Sequence, residues 1–284
     1  MNDRLTRNEQ REAARNKAKA LREQHRKGEQ RKRLVIQASV VLGTLGIVAA
    51  VAFAIISGAN TASNSGLTPK NFSYDNGIKL GANAEPFTST SNPTVAPTPG
   101  AKKPVAIQVY LEYQCPACAA FEVTNGDQIK SWLDSGFATL EIHPISFLDG
   151  RATPNEYSSR AANAAVCVAE NSPKQFYAFT QALYKKQPQE GTPGPSNDEI
   201  FATAKSVGIT NADKIKTCID AKSYGAWIKK VTTTVLDGNY KVPGSENVAV
   251  DHTPIIVVNG KAYTDDITNP ARFAQFVQKA ASGS

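Results

Sequence analysis

The chain has almost no net charge once its first 33 residues are set aside. Those residues hold 12 of the 32 Lys and Arg residues and 5 of the 25 Asp and Glu residues, which leaves 20 of each sign in the remaining 251 residues. The net charge of +7 therefore belongs to a basic tail, residues 1–33. Because a nucleic-acid-binding domain carries its basic charge on the folded surface, this distribution argues against that class of function.

Charge is also absent from the next 23 residues, 34–56. At about 1.5 Å per residue, a helix of that length spans about 35 Å, which is enough to cross a bilayer. We therefore predict a transmembrane helix over residues 34–57, preceded by a tail that faces the anionic membrane surface. Arg31, Lys32 and Arg33 predict a cytoplasmic N-terminus and an extracytoplasmic remainder by the positive-inside rule. A cleaved signal peptide is the alternative, although its apolar region is normally about 7 to 15 residues long.

Residues 58–103 have the composition of a linker, rich in Ser, Thr, Asn, Pro and Gly. Residues 88–100 within this stretch carry no charge at all. Residues 72–80 predict a short hairpin around the turn-forming sequence Asp75-Asn76-Gly77. The folded domain is expected to begin directly after the linker.

The pattern of residues 104–284 predicts one α/β domain. Its elements follow in the order strand, helix, strand, helical block, hairpin and helix. Apolar residues alternate over 105–111, and a helix follows from Cys115 with an interruption at Asn125-Gly126. Residues 153–236 show helical spacing and no convincing strand. We therefore predict a domain made of residues 104–152 and 237–284, with residues 153–236 as a helical insertion.

Two cysteines, Cys115 and Cys118, stand three positions apart where the first strand meets the helix. The first turn of a helix offers unpaired N–H groups and the positive end of the helix dipole, and both lower a thiol pKa below its free value of about 8.5. Cys118, one turn further on, is close enough to form or resolve a disulfide with Cys115. The motif therefore predicts Cys115 as the attacking thiol and Cys118 as the resolving thiol.

The same spacing occurs in zinc knuckles, which need a second pair of ligands. Cys167 and Cys218 are 51 residues apart, and His143 and His252 are the only histidines beyond the apolar run. This arrangement favours redox chemistry over metal binding, and we predict no metal site. An inert bond within the pair is also disfavoured, because so short a loop gives little stabilisation.

The motif and its surroundings resemble the DsbA-like branch of the thioredoxin superfamily, particularly its membrane-anchored secreted members. The resemblance covers about residues 103–282. It rests on the helical block and on three sequences: Cys-Pro-Ala-Cys followed by Ala-Ala-Phe-Glu, Phe-Leu-Asp at 147–149, and His252-Thr253-Pro254 followed by Ile-Ile-Val-Val-Asn-Gly-Lys. It implies a thioredoxin-like fold with an inserted helical domain and no bound cofactor.

The resemblance also implies a site and partners. In this family the proline after the helical block has a cis peptide bond and faces the active cysteines, so Pro254 would be cis and Thr253 would present its backbone to substrate. A trans proline that merely begins a strand is the alternative. The implied partners are reduced, unfolded secreted polypeptides and a quinone-linked membrane oxidase, either DsbB-like or similar to vitamin K epoxide reductase.

The sequence departs from the family pattern at two places. The residue six before the attacking cysteine, often a buried acid, is Val109 here. Glu112 is the nearest acid and is a candidate acceptor for the proton of Cys118, the alternative being an exposed strand carboxylate. The intervening dipeptide Pro116-Ala117, which tunes the redox potential, lacks the histidine of strongly oxidising members.

Cys167 and Cys218 both lie in the helical block, on segments expected to pack together. We predict a structural disulfide between them, with a second redox pair or a thiol relay as the alternative. The predicted function is disulfide bond formation in secreted proteins. Two alternatives stay open: a disulfide reductase or isomerase, for example in cytochrome maturation, and a non-catalytic thioredoxin-fold scaffold or adhesion module.

Overall fold

A computed structural model describes residues 67–93, 103–149 and 156–282. The predicted tail, the predicted transmembrane helix and part of the linker lie outside these ranges, so those assignments stay predictions. Within the described ranges, no helix has both the length and the apolar character needed to span a bilayer. The chain divides into Met1–Ser63 and Asn64–Ser284, and every described residue belongs to the second unit.

A mixed five-stranded sheet forms the centre of the domain. Its order is β1-β3-β2-β4-β5, with β2 and β3 parallel and each other neighbouring pair antiparallel. The central strand, β2, is rich in β-branched residues and is buried on both faces over its last four residues. The strands are β1 Ile78–Leu80, β2 Val105–Glu112, β3 Ala138–Ile145, β4 Ile255–Val258 and β5 Lys261–Ala262.

Seven α-helices are found in the described ranges, and five of them lie between β3 and β4, where the helical insertion was predicted. One helix connects the parallel strands β2 and β3, and another closes the domain against it. The helices are α1 Pro116–Asp134, α2 Tyr157–Asn171, α3 Phe176–Lys185, α4 Asn197–Ser206, α5 Ala212–Asp220, α6 Gly225–Val235 and α7 Pro270–Ser282. Short 3₁₀ turns occur at Ala82–Ala84 and Pro173–Gln175.

The predicted interruption of the first helix is wrong, because α1 runs without a break through Asn125 and Gly126. The side-chain amide of Asn125 donates to the carbonyl of Phe121 one turn back, at 3.0 Å, so it supports the helix. Gly126 is required by the packing of α3, since a Cβ there would lie 2.5 Å from Gln181 Oε1. Tertiary contacts therefore outweigh the weak helix propensity of the Asn-Gly pair.

The predicted hairpin at residues 72–80 is only partly present. A tight turn does join Tyr74 to Gly77 through two backbone hydrogen bonds of 3.2 and 2.7 Å. The strand that follows it, β1, pairs with β3 instead of folding back on its own segment. A Cβ at Gly77 would lie 2.5 Å from the ring of His143, so the turn packs directly on the sheet.

A disulfide joins α2 to α5 within the insertion. Cys167 and Cys218 are bonded, with a Cα–Cα distance of 5.8 Å. Around Cys167, α2 is lined with buried small residues from Ala161 to Ala169, which lets the neighbouring helices approach closely. The bridge therefore links two helices of the block without reaching the sheet.

The long segment between α6 and β4 lies across the sheet. Val242 and Val250 are buried, and the Tyr240 hydroxyl hydrogen-bonds to the Tyr110 hydroxyl of β2 at 2.8 Å. The sequence does not indicate how this segment is placed, and these contacts with the sheet account for its position. They bring the chain back to the sheet at the start of β4.

Candidate active site

Cys115 is the N-cap of α1, and Pro116 is at the first helical position. Proline is suited to that position, because its missing N–H has no partner in a helix and its φ is already helical. The Cys115 side chain is 8% exposed, whereas Cys118 is fully buried. Both are free thiols and both are buried, Cys118 completely and Cys115 slightly less so.

The loop before β4 closes the site from the opposite side. The Thr253–Pro254 peptide bond is cis, and β4 begins at the next residue. Because Ile255 pairs with Tyr110 of β2, this loop is brought to the end of β2 where α1 begins. The sulfur of Cys115 lies 3.4 Å from the carbonyl oxygen of Thr253, and the protonated form of the thiol donates to it.

The two thiols have opposite acidities. The pKa of Cys115 is lowered to about 6, chiefly by a hydrogen bond from the Cys118 thiol and further by the N–H groups of Ala117 and Cys118, while burial opposes the change. Burial raises the pKa of Cys118 well above its ordinary value, and the hydrogen bond to Cys115 raises it further. At neutral pH, Cys115 is therefore the thiolate and Cys118 the thiol.

This difference predicts the pH dependence of alkylation. The thiolate is the reactive form, so the rate of Cys115 alkylation by iodoacetamide is expected to rise with a midpoint near pH 6. The pKa of Cys115 is lower in the folded reduced protein than in the unfolded chain, so ionisation of this thiol stabilises the folded reduced protein. That stabilisation is fully present above the pKa of the unfolded chain and is lost as the pH falls through about 6. Stopped-flow alkylation of the reduced protein measures the midpoint. A midpoint near that of free cysteine, about 8.5, would contradict the assignment.

The turn that contains Cys115 is hydrogen-bonded to side chains of the insertion. The Tyr184 hydroxyl donates to the carbonyl of Glu112 at 3.3 Å. The side-chain amide of Gln187 donates to the carbonyls of Tyr113 and Cys115. These partners lie 72 to 74 residues away along the chain, and nothing in the sequence pattern identified them.

Glu112 is fully buried, so the alternative of an exposed strand carboxylate is excluded. Its two oxygens accept hydrogen bonds from the N–H groups of Gln114 at 3.0 Å and Leu148 at 3.3 Å. Burial raises its pKa to about 8, against the effect of those hydrogen bonds. The carboxyl therefore keeps its proton to a higher pH than an exposed carboxyl does.

Sequence reasoning missed a second buried acid, Glu122, which lies one turn after Cys118 on α1. It is 1% exposed and accepts a hydrogen bond of 2.6 Å from the Gln181 side chain. Burial raises its pKa to about 7. The spacing of four residues from Cys118 was the available signal, because residues four apart share one helix face.

No cluster of metal ligands was found within the described ranges. A mixed sheet, a Cys-x-x-Cys pair at the start of a helix and a cis proline beside that pair are together typical of a thioredoxin-like fold. A protein-family model described as thioredoxin matches residues 97–279, which is more than half of the chain. The chain belongs to the thioredoxin family.

Solved structures share the fold. Disulfide bond oxidoreductase DsbG from Mycobacterium tuberculosis, in its reduced form, matches with a TM-score of 0.56 and 26% identity over 74% of this chain and 89% of that one. MdbA from Actinomyces oris, a thiol-disulfide oxidoreductase, matches with a TM-score of 0.56 and 21% identity over 80% of this chain and 98% of the MdbA chain. The predicted thioredoxin-like fold is thereby confirmed.

Curated relatives match over shorter lengths. The serine/threonine-protein kinase PknE of M. tuberculosis is 32% identical over 109 residues, which is 37% of this chain but only 19% of the kinase. Disulfide bond formation protein D of Bacillus subtilis is 28% identical over 163 residues, 56% of this chain and 64% of that protein. This chain thus spans about a fifth of the kinase and less than two thirds of the second relative.

Proposed function

We propose that this chain is an extracytoplasmic thiol-disulfide oxidoreductase that forms disulfide bonds in secreted proteins through Cys115 and Cys118. The observation that carries the proposal is the acidic Cys115 thiol at the start of α1, 3.4 Å from the Thr253 carbonyl beside a cis proline. A thiolate that is stabilised in the reduced protein makes the corresponding disulfide a stronger oxidant. The similarity to the disulfide bond oxidoreductase DsbG supports the same activity.

The reaction takes place in two exchanges. A substrate thiolate attacks Cys115 Sγ of the Cys115–Cys118 disulfide, so that a mixed disulfide forms and Cys118 leaves as a thiolate that takes up a proton. A second substrate thiolate then attacks the substrate sulfur and releases Cys115 as a thiolate, which leaves readily because of its low pKa. The substrate gains one disulfide, and two electrons pass to the protein. The backbone of Thr253, beside the cis proline and next to Cys115, offers a polar contact to an unfolded chain.

Glu112 is proposed as the group that exchanges the proton of Cys118. Replacement of Glu112 by glutamine is expected to slow the reverse step, the attack of Cys118 on a mixed disulfide between Cys115 and a substrate, by up to about 10²-fold, the typical contribution of a proton-transfer group. Rapid-mixing kinetics between pH 6 and 9 measures this rate. Glu122→Gln is the matched control, since it removes the other buried acid. A slower rate in Glu122→Gln with no change in Glu112→Gln would assign the proton to Glu122 instead.

The direction of catalysis is tested by the reduction potential. Without a histidine between the cysteines, a reductase or isomerase is the second candidate. Equilibration of Cys115 and Cys118 with glutathione redox buffers gives the potential: a value near −120 mV, roughly that of DsbA, supports an oxidase, and a value near −270 mV, roughly that of thioredoxin, supports a reductase. The wild-type protein should also oxidise a reduced, unfolded test protein. If it does not, the result would favour the non-catalytic scaffold or adhesion module instead.

The proposal includes a single transmembrane anchor at residues 34–57, with the N-terminus in the cytoplasm and the redox domain outside. The charge pattern of the first 56 residues supports it. The regenerating partner is proposed to be a quinone-linked membrane thiol oxidase, which accepts the two electrons from the reduced pair. Protease digestion of intact cells and of permeabilised cells tests the topology, since an external domain is cleaved in both.

A further inference from the structure

Gln187 lies two residues after the end of α3 and contacts the redox segment directly. Its Nε2 donates to the carbonyl oxygens of Tyr113 and Cys115, both at 2.9 Å. These two carbonyls lie on either side of Gln114, within the turn that connects β2 to α1. One side chain of the insertion therefore bridges the start and the end of the turn that places the reactive cysteine.

A side-chain amide is suited to this position, because one NH₂ group carries two N–H donors and no acceptor on the same atom. Both bonds can form only while the Tyr113 and Cys115 carbonyls point toward the same atom. The Cys115 carbonyl also accepts the helical hydrogen bond from Ala119 N–H at 3.1 Å. The bridge therefore fixes the peptide planes around Cys115 at the point where α1 begins.

The rest of the turn depends on the same segment of the insertion. The Gln114 side chain donates to the carbonyls of Gln189, at 3.4 Å, and Thr192, at 3.0 Å. Tyr184, which precedes Gln187, donates to the carbonyl of Glu112. Among these contacts, that of Gln187 alone reaches the backbone of the redox cysteine itself.

We propose that Gln187 is a positioning residue for Cys115, holding the turn so that the sulfur faces the Thr253 carbonyl and the first N–H groups of α1. The helical insertion thereby sets the reactivity of a thiol that belongs to a different part of the chain. This inference deepens the proposed function and rests on it for its biological meaning. What it states about the chemistry concerns only the position and the reactivity of the Cys115 thiol.

Gln187→Leu tests the proposal, because leucine keeps a comparable volume and removes both donors. The Cys115 thiol of the reduced variant is expected to titrate at a higher pH than in the wild type, toward the free value of about 8.5. Its reaction with a small aromatic disulfide at neutral pH is expected to slow roughly tenfold, since a displacement of about 1 Å at a reacting atom can cost more than that. Thiolate absorbance and stopped-flow mixing measure the two quantities.

Gln128→Leu is the matched control. Gln128 is also half-buried and also donates to a backbone carbonyl, that of Pro270 at 3.2 Å, but it lies away from the redox turn. The control should titrate and react as the wild type does. If Gln187→Leu does not fold, Gln187→Glu replaces it, because the ionised carboxylate has a similar shape and no N–H to donate.

Two outcomes would overturn the proposal: a Gln187→Leu thiol with wild-type titration and rate, or an equal change in Gln128→Leu, which would reduce the effect to a general loss of stability. Neither depends on protein substrates. A wild-type protein that has the acidic thiol but does not oxidise unfolded proteins would refute the proposed function and leave the role of Gln187 intact.

Discussion

Replacing Cys115 with serine should abolish oxidation of a reduced, unfolded test protein, whereas the Cys118→Ala variant, mixed with a test protein that contains a disulfide, should accumulate mixed disulfides. In that reaction the Cys115 thiolate bonds to one substrate sulfur and displaces the other as a thiolate. The first variant removes the thiol that is ionised at neutral pH and is the less buried of the two. Loss of a nucleophile of this kind lowers rates by on the order of 10³-fold or more. The second variant keeps the acidic thiol and removes the buried one that would resolve the intermediate.

The measurement is acid trapping of the reaction followed by non-reducing electrophoresis. Each variant is the control for the other, and a Cys115→Ser, Cys118→Ala double variant reports any trapping through Cys167 or Cys218. Serine at position 115 should give no adduct with substrate. An adduct formed by Cys115→Ser would mean that Cys118 is the attacking thiol and that the roles are reversed.

The placement of Cys115 and Cys118 at the start of a helix could be predicted from the sequence because the reasons for it are local. A cysteine before a proline at the start of a helix meets unpaired N–H groups whatever the rest of the fold does. The structure places Cys115 at that N-cap, and it places the Thr253–Pro254 loop opposite, as the family resemblance implied. The acidity of one thiol and the burial of the other follow from one turn of helix.

The surroundings of the pair could not be predicted, because they depend on contacts between distant segments. Glu112 lies at the end of a predicted strand, and the sequence does not decide whether its side chain is exposed. In the structure it is buried beneath the loop that contains Leu148. Gln187 lies among loop-forming residues with no periodic pattern, and its partners are more than 70 residues earlier. A single sequence contains no signal for such pairs, since loop residues are polar for many reasons.

The continuity of α1 shows the same limit in a different way. Asn125 and Gly126 have low helix propensity, so an interruption was the reasonable expectation. The glycine is present because α3 packs against that point, with Gln181 too close to allow a side chain. Propensity describes an isolated segment, and here the packing of the insertion on α1 decides the outcome.

Removal of the Cys167–Cys218 disulfide is expected to lower the free energy of unfolding by about 4 kcal/mol, the loop-entropy value for a bridge of this span. The bridge joins α2 to α5, and the insertion that it closes carries Tyr184 and Gln187. A Cys167→Ala, Cys218→Ala variant should therefore lose stability and also increase the mobility of the turn that holds Cys115. Urea unfolding followed by far-ultraviolet circular dichroism measures the first effect.

The comparison is made in a background in which Cys115 and Cys118 are both serine, so that only one disulfide is present. In that background, a reductant strong enough to open the Cys167–Cys218 bond should lower stability by the same amount and leave the alanine variant unchanged. A loss below about 1 kcal/mol would show that the helices of the insertion hold together without the bond. Reduction of the bridge during turnover of the wild-type protein would instead assign it to the redox chemistry, because a structural bond is not consumed in the reaction.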